Sequence, residues 1–380
     1  MRGPCSTVGV RTDITDLKRA ELTIKEQAER DSLTGLYNRS VLTDSLQRAC
    51  TRARRGGHMG ALVSDYGPAA LWDLGDGVAC LEFRTKMNTF SKELLDAIGQ
   101  AIADVGKGFK ALVIGSDSPV YSAGADLRVF LDTVEKGGAE ALGAFIDHGH
   151  RTFKALKYAP FPVVGAPSGL AFGGGCEILL HCDAIQAHAE LTIGLVETRI
   201  GVIPGWGGCK EMLVRSYAAK AEIRGPVAPA IAAFNLIAPA RFSGSAFEAR
   251  KLGFLRATDG ITKNRERLLA DAKAKALSLC EGYVPPELLV VALPGPSGEA
   301  AILNILEGEA LAGRATAHDL VVGKALATVL TGGPSADPLR PLSEDDIIAL
   351  ERQAFISLFA EPATIGRVQH LLATGKPLCN

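Results

Sequence analysis

Residues 162–183 read PVVGAPSGLAFGGGCEILLHCD. Pro162–Ala166 is a short apolar run of the kind that fills a buried strand, and a loop of small residues follows. Gly173-Gly174-Gly175 then leads into helical sequence starting near Gly174. Three successive glycines are costly to order, so close approach of some group to that backbone is a fair expectation. The same grammar extends upstream. Val78–Arg84 (VACLEFR) alternates as a strand, and Lys110–Ile114 (KALVI) is a second, buried-type strand. Between them Ser91 is placed to cap an amphipathic helix carrying Leu94, Leu95, Ile98 and Ile102 at helical spacing. Helical sequence also runs from about Gly138 to Tyr158. Strand, helix, strand, loop, helix predicts an α/β unit with parallel pairing.

Downstream of about Val227 helical patterns dominate, interrupted by prolines. Leu342–Phe359 (LSEDDIIALERQAFISLF) is the clearest, with Ser343 as cap and Asp346 in the first turn. The 380 residues are 47% hydrophobic and 22% charged, an ordinary globular balance. With 41 Lys+Arg against 42 Asp+Glu there is no basic excess for nucleic acid. The longest uncharged stretch, Tyr158–Cys176, is broken by prolines and glycines, so no membrane span is expected. Met1-Arg2-Gly3-Pro4 opens no apolar run, so no secretory signal is expected either. Eight cysteines without a Cys-x-x-Cys pair suit reduced thiols in a cytoplasm, and the histidines show no metal-ligand spacing.

The first part of the chain differs. Asp16–Arg30 (DLKRAELTIKEQAER) is a polar helix with a thin apolar seam, fit for a two-stranded contact or for simple solvation. Val8–Asp16 (VGVRTDITD) resembles the closing strand of a PAS-type sensor, and Asp31–Arg39 (DSLTGLYNR) resembles the opening of a GGDEF domain. The metal- and nucleotide-binding motif of that domain is absent from the chain, so residues 1–63 imply no activity.

Two loops carry the candidate chemistry: Tyr121-Ser122-Ala123-Gly124-Ala125-Asp126, and Gly173-Gly174-Gly175-Cys176-Glu177. Each by itself reads equally as a tight strand–helix turn. Neither is a phosphate loop, since no Gly-Lys-Ser/Thr ending or Gly-x-Gly-x-x-Gly fingerprint is present. Together with Glu197–Gly208 (ETRIGVIPGWGG) they resemble the crotonase (enoyl-CoA hydratase/isomerase) superfamily, in which SAGADL at 122–127, residues 162–183 and residues 197–208 are three ordered signatures. Arg250–Arg256, Asn264–Lys273 and Thr374–Asn380 resemble the hydratase region of long bacterial fatty-acid oxidation proteins. There a 3-hydroxyacyl-CoA dehydrogenase comes first; here no dinucleotide fingerprint exists, so hydride transfer is not expected.

The resemblance implies an α/β fold, a ββα spiral of the crotonase (ClpP-like) type at 64–225, with a helical region at 226–380 and a helical segment before the core. It implies an oxyanion hole from the amides of Ala125 and Gly174, where a side chain on Gly174 would obstruct the thioester. Glu177 matches the position that activates water and Glu197 the one that exchanges the α-proton. Ala123, Asp126, Leu127 and Arg128 would lie along the acyl-CoA, with Arg128 equally readable as a plain surface arginine. The implied activity is reversible hydration of 2-enoyl-CoA in β-oxidation, without metal or cofactor beyond the coenzyme A thioester itself, in a homotrimer or hexamer. Isomerisation or thioester hydrolysis on the same scaffold, and a non-catalytic interaction module, are the alternatives. Cys176 and Cys182 read as buried packing residues.

Overall fold

The computed structural model describes residues 59–219 and 225–380, so the PAS-like and GGDEF-like assignments up to residue 58 lie outside the described residues. Residues Gly60–Asn380 form one compact unit. Its main sheet has seven strands in the order β1-β2-β3-β4-β6-β8-β10. These are β1 (Ala61–Asp65), β2 (Ala69–Asp73), β3 (Val78–Phe83), β4 (Ala111–Gly115), β6 (Val163–Ala166), β8 (Ala184–His188) and β10 (Gly260–Thr262). β1, β2 and β3 pair antiparallel, and every pairing from β3 to β10 is parallel.

Every residue of β3, β4 and β6 is buried, which is the behaviour of parallel strands covered on both faces. The alternation in β3 therefore does not mark a solvated face. Its one acidic residue, Glu82, is buried and accepts from Trp72 Nε1 at 3.1 Å and Arg84 Nε at 3.2 Å.

A second, three-stranded parallel sheet stands beside the first in the order β5-β7-β9: Val120–Ser122, Leu170–Phe172 and Thr192–Gly194. Each turn of the chain gives one strand to the large sheet and the next to the small one: β4 then β5, β6 then β7, β8 then β9. The crossovers are α1 (Lys92–Gly108), α2 (Leu127–Lys157) and α3 (Gly174–Leu180). Ser91 caps α1 by accepting from Leu94 N, and the helix buries Leu94, Leu95, Ile98, Ala101 and Val105. α2 is broken at Gly138, whose φ of 63° is non-helical, so Asp126 opens one segment and the Gly138–Tyr158 pattern continues as a second.

The remaining helices are α4 (Gly208–Ala219), α5 (Val227–Ile237), α6 (Ala246–Leu252), α7 (Leu268–Cys280), α8 (Gly295–Leu311), α9 (Ala317–Thr331), α10 (Glu344–Phe359) and α11 (Pro362–Thr374). A two-stranded pair, β11 (Val290–Val291) with β12 (Leu342–Ser343), precedes α10. α7 packs on β4, β6 and β8, whereas α10 and α11 pack back on α2. Ser343 and Asp346 form a full capping box at the start of α10.

Buried charges pin α10 to the core. Lys210 of α4 is fully buried and pairs with Glu211 at 2.8 Å and with Glu344 of α10. Lys157 of α2 reaches Glu211 at 2.6 Å and Glu344 at 3.3 Å, and the Tyr158 hydroxyl donates to Glu344 at 2.6 Å. Burial pushes the Glu344 carboxyl up, but Lys210 and Lys157 outweigh it and hold the group down at about 2. Each charge has a partner, so removing one would strand another in a dry environment. No described helix is long and apolar enough to cross a membrane.

Candidate active site

The spiral brings the ends of the small sheet together, and both candidate loops start there. β5 ends at Ser122, whose buried hydroxyl donates to Asn88 O at 2.7 Å and accepts from Gly124 N at 3.1 Å. Gly124 has φ 90°, and a Cβ there would lie 2.9 Å from Phe172 O and 3.3 Å from Gly174 N. The first loop therefore lies directly on the second, and only glycine permits that approach. Phe90 N donates to Gly124 O and Asp126 N donates to Phe90 O, which ties residues on either side of Ala125. Among the described residues the amides of Ala125 and Gly174 donate to no backbone acceptor outside helices and strands. Asp126 caps α2 by accepting from Arg128 N at 3.0 Å. Ala123 and Arg128 are exposed, and Leu127 is half-buried.

Glu177 sits in the first turn of α3 and is 2% exposed. Its Oε1 accepts two backbone amides of one turn, Trp206 N at 2.7 Å and Gly208 N at 2.9 Å. Its main chain is held as well: the carbonyl accepts from His181 Nδ1 at 2.7 Å, while His181 Nε2 faces Lys210 Nζ at 3.2 Å. Burial, with Lys210 beside it, pushes the His181 imidazole down to about 3. It is therefore neutral, with its proton on Nδ1 and its other nitrogen accepting from the ammonium.

Glu197 opens a single 3₁₀ turn after β9. Both its carboxyl oxygens are buried without a hydrogen-bonding partner, and Oε1 lies 3.3 Å from the position a Cβ on Gly173 would take. Such buried, unpaired acceptors are uncommon in folded proteins and cost free energy. Burial raises the Glu177 carboxyl, with Glu197 and Glu351 adding to the effect and the Trp206 and Gly208 amides opposing it. Burial likewise raises Glu197, to about 8, with its own and the Val196 main-chain amides opposing and Glu351 adding. Glu177, Glu197, Ala125 and Gly174 line one cavity of about 410 Å³. The structure thus gathers residues that lie up to 72 positions apart (197 − 125) around a single space.

The apolar wall of that cavity has no counterpart among the sequence expectations. Phe130 and Ile146 of α2 and Phe355 and Phe359 of α10 line it, with Leu371 of α11. Trp206 adds a ring packed edge-on against Phe90, Phe145 and Phe153, with centroids 5.6–5.7 Å apart. A Cβ on Gly174 would meet Trp206 Cζ3 at 2.8 Å. The ring of Trp206 thus requires glycine at 174, a reason beyond the obstruction of a ligand. Cys176 and Cys182 are buried, and burial raises both thiols.

A further carboxyl, which the sequence motifs do not mark, also stands here. Glu351 of α10 is fully buried, accepts from Gly207 N, and has Oε1 3.4 Å from His150 Nε2. Its signal in the sequence is a Glu four residues from both Ile347 and Phe355 on the buried stripe of α10.

Residues 74–222 match the family described as enoyl-CoA hydratase/isomerase. They form a crotonase-family domain. A probable 3-hydroxyacyl-CoA dehydrogenase of Bacillus subtilis (strain 168) is 37% identical over 322 residues, covering 84% of this chain and 40% of that protein. The chain therefore spans about two fifths of the length of that relative. Among solved structures, the enoyl-CoA hydratase from Bacillus halodurans superposes with a TM-score of 0.54 at 18% identity, over 80% of this chain and 100% of the other. A methylmalonyl-CoA decarboxylase with bound 2-nitronate-propionyl-CoA gives 0.53 at 17% identity, over 83% and 99%. At these identities the likeness is one of fold, and the crotonase spiral with its helical C-terminal region is that fold.

Proposed function

We propose that this crotonase domain hydrates 2-enoyl-CoA thioesters reversibly to 3-hydroxyacyl-CoA. The observation that carries the reading is the pair of buried carboxyls, one held by two amides and the other unpartnered, on a cavity that Ala125 and Gly174 also line.

In this reading the thioester oxygen lies between the amides of Ala125 and Gly174. Negative charge grows on that oxygen as the β-carbon is attacked, and each donor is worth about 3–4 kcal/mol to the enolate. Burial and the neighbouring Glu197 both disfavour the charge at Glu177, and the hydration step asks that the two carboxyls hold one proton between them. The Trp206 and Gly208 amides favour the anion at Glu177, which makes it the base. Water between the two gives a proton to Glu177 as its oxygen bonds to the β-carbon. The double-bond electrons move onto the thioester oxygen, and as the enolate collapses the α-carbon takes the proton from Glu197. The pair begins and ends with one proton, which has moved from one carboxyl to the other.

Ala123, Asp126, Leu127 and Arg128 belong to the acyl-CoA side of this reading, and Arg128, exposed on the first turn of α2, would face the CoA phosphates. A homotrimer or hexamer, cytoplasmic placement, a boundary near residue 63 and a reaction without added cofactor are part of the same proposal.

The test is hydration of crotonyl-CoA and of a longer 2-enoyl-CoA, followed through the conjugated thioester absorbance, with Glu177→Gln and Glu197→Gln alongside wild type. Loss of about 10²–10⁴-fold in kcat for each variant is expected. Retention of most turnover by Glu177→Gln, with a 3-enoyl-CoA as the better substrate, would assign isomerisation instead.

A further inference from the structure

We infer that Glu351 is a positioning residue for the catalytic carboxyl at 177, acting through the Trp206–Gly208 turn and through its own charge; this rests on the hydratase reading above. Three successive amides of that turn point alternately at two buried carboxyls. Trp206 N and Gly208 N donate to Glu177, and Gly207 N between them donates to Glu351. The turn is therefore clamped from both sides, by α3 and by α10. A shift of α10 moves Gly207 and with it the two donors that orient Glu177.

The clamp is anchored. α10 is held at its start by the Lys157, Lys210 and Glu344 cluster, and Arg352 Nε reaches Asp147 Oδ1 of α2 at 2.6 Å. Gly207 has little room: a Cβ there would meet the His181 ring at 2.9 Å. Glu351 itself touches neither the 410 Å³ cavity nor, by this reading, the substrate.

A simple structural contact would be served by a neutral acceptor, and a charge here is expensive to bury. The titratable groups near Glu177 are Glu197 on the 3₁₀ turn, Glu351 on α10, Cys176 beside it on α3 and Cys209 on α4. His150 of α2 lies against Glu351, and behind the main chain of Glu177 stand His181, Lys210 and Glu211. Glu197 and Glu351 both act to raise the Glu177 carboxyl, after burial. Glu351 Oε2 and His150 Nδ1 are buried without partners, so no described group pairs with that side of the Glu351 carboxyl. Its removal favours the anion at Glu177, which lowers the pH at which that carboxyl titrates.

The experiment compares full-chain wild type, Glu351→Gln and Glu351→Leu. One readout is kcat and KM for crotonyl-CoA hydration across pH. The other is the titration of the Glu177 carboxyl carbon by NMR of Glu-labelled protein, assigned with Glu177→Gln. Glu351→Leu removes the acceptor and is expected to lower kcat about 10–100-fold with KM within about threefold. Glu351→Gln keeps an acceptor and should restore kcat to within about threefold of wild type. Its Glu177 midpoint and the acid limb of its rate profile should move down by about one pH unit. An unmoved Glu177 midpoint in Glu351→Gln, or an unchanged kcat in folded Glu351→Leu, overturns the inference. If wild type does not hydrate, the hydratase reading fails by itself, and the Glu177 midpoint alone then decides the role of Glu351. If Glu351→Leu fails to fold, the midpoint in Glu351→Gln still upholds or overturns the inference.

Discussion

Substituting alanine at Gly174 puts a methyl group into the tightest contact of the site. Its Cβ would sit 2.8 and 2.9 Å from Trp206 Cζ3 and Cε3, and 3.3 Å from Phe90 Cδ2. Carbon atoms rest about 3.5–4.0 Å apart, so the ring or the loop must yield by roughly 0.7 Å. Away from the cavity the ring has little room. On its far side Nε1 lies hard against Gly149, where there is no room for a Cβ, and Phe90, Phe145 and Phe153 close its edges. Overpacking of this kind costs about 1–3 kcal/mol, which for a chain of this size lowers Tm by about 1–5 °C. The displaced Gly174 amide should also cost about 10–100-fold in kcat for crotonyl-CoA, part of what losing an oxyanion donor entirely would cost. A double-mutant cycle isolates the cause: with Trp206→Leu in place, Gly174→Ala should cost less than about 1 kcal/mol of stability in urea denaturation. An equal cost in both backgrounds would show that the ring is not what excludes a side chain.

Four further outcomes follow from the structure. Ser343→Ala removes the oxygen that accepts from Asp346 N and should cost about 1 kcal/mol in urea denaturation, since a lost cap is worth roughly that much. Lys210→Met leaves the buried Glu211 and Glu344 with Lys157 as their remaining shared cation and should destabilise by at most about 3–5 kcal/mol; Lys210→Met combined with Glu344→Gln should recover part of the loss. Because the folded Glu344 carboxyl is held down at about 2 against an ordinary value of 4.5, its contribution should be complete above pH 4.5. It should fade as pH drops from there toward about 2, a decline that acid titration of Glu344→Gln by circular dichroism should show reduced. Phe355→Ala enlarges the cavity from the α10 side and should raise kcat/KM for a longer enoyl-CoA relative to crotonyl-CoA.

Of the large sheet, β3, β4 and β6 were legible because they are short apolar runs, and Ser91 and Ser343 marked helix starts that the structure keeps; β1, β2, β8 and β10 were not read from the sequence. The small sheet was not. β5, β7 and β9 have three residues each, too few for any period to register, yet they bring the two glycine loops together. Glu177 and Glu197 were legible only through the motifs around them; nothing in a spacing of 20 residues places two carboxyls on one cavity. The apolar wall was hidden for a different reason. Phe355 and Phe359 read as the buried face of a helix, and only the return of α10 onto α2 turns that face into cavity lining. Glu351 lay on the same stripe, but its partner Gly207 is 144 residues away, a distance over which sequence pattern carries no pairing information.

A crystal structure of the full chain with a bound 3-hydroxyacyl-CoA bears most directly on the proposed chemistry. The thioester oxygen is expected within about 3.1 Å of both Ala125 N and Gly174 N, and the 3-hydroxyl within hydrogen-bond reach of both Glu177 and Glu197. A thioester bound elsewhere, or a hydroxyl reaching neither carboxyl, would contradict that chemistry.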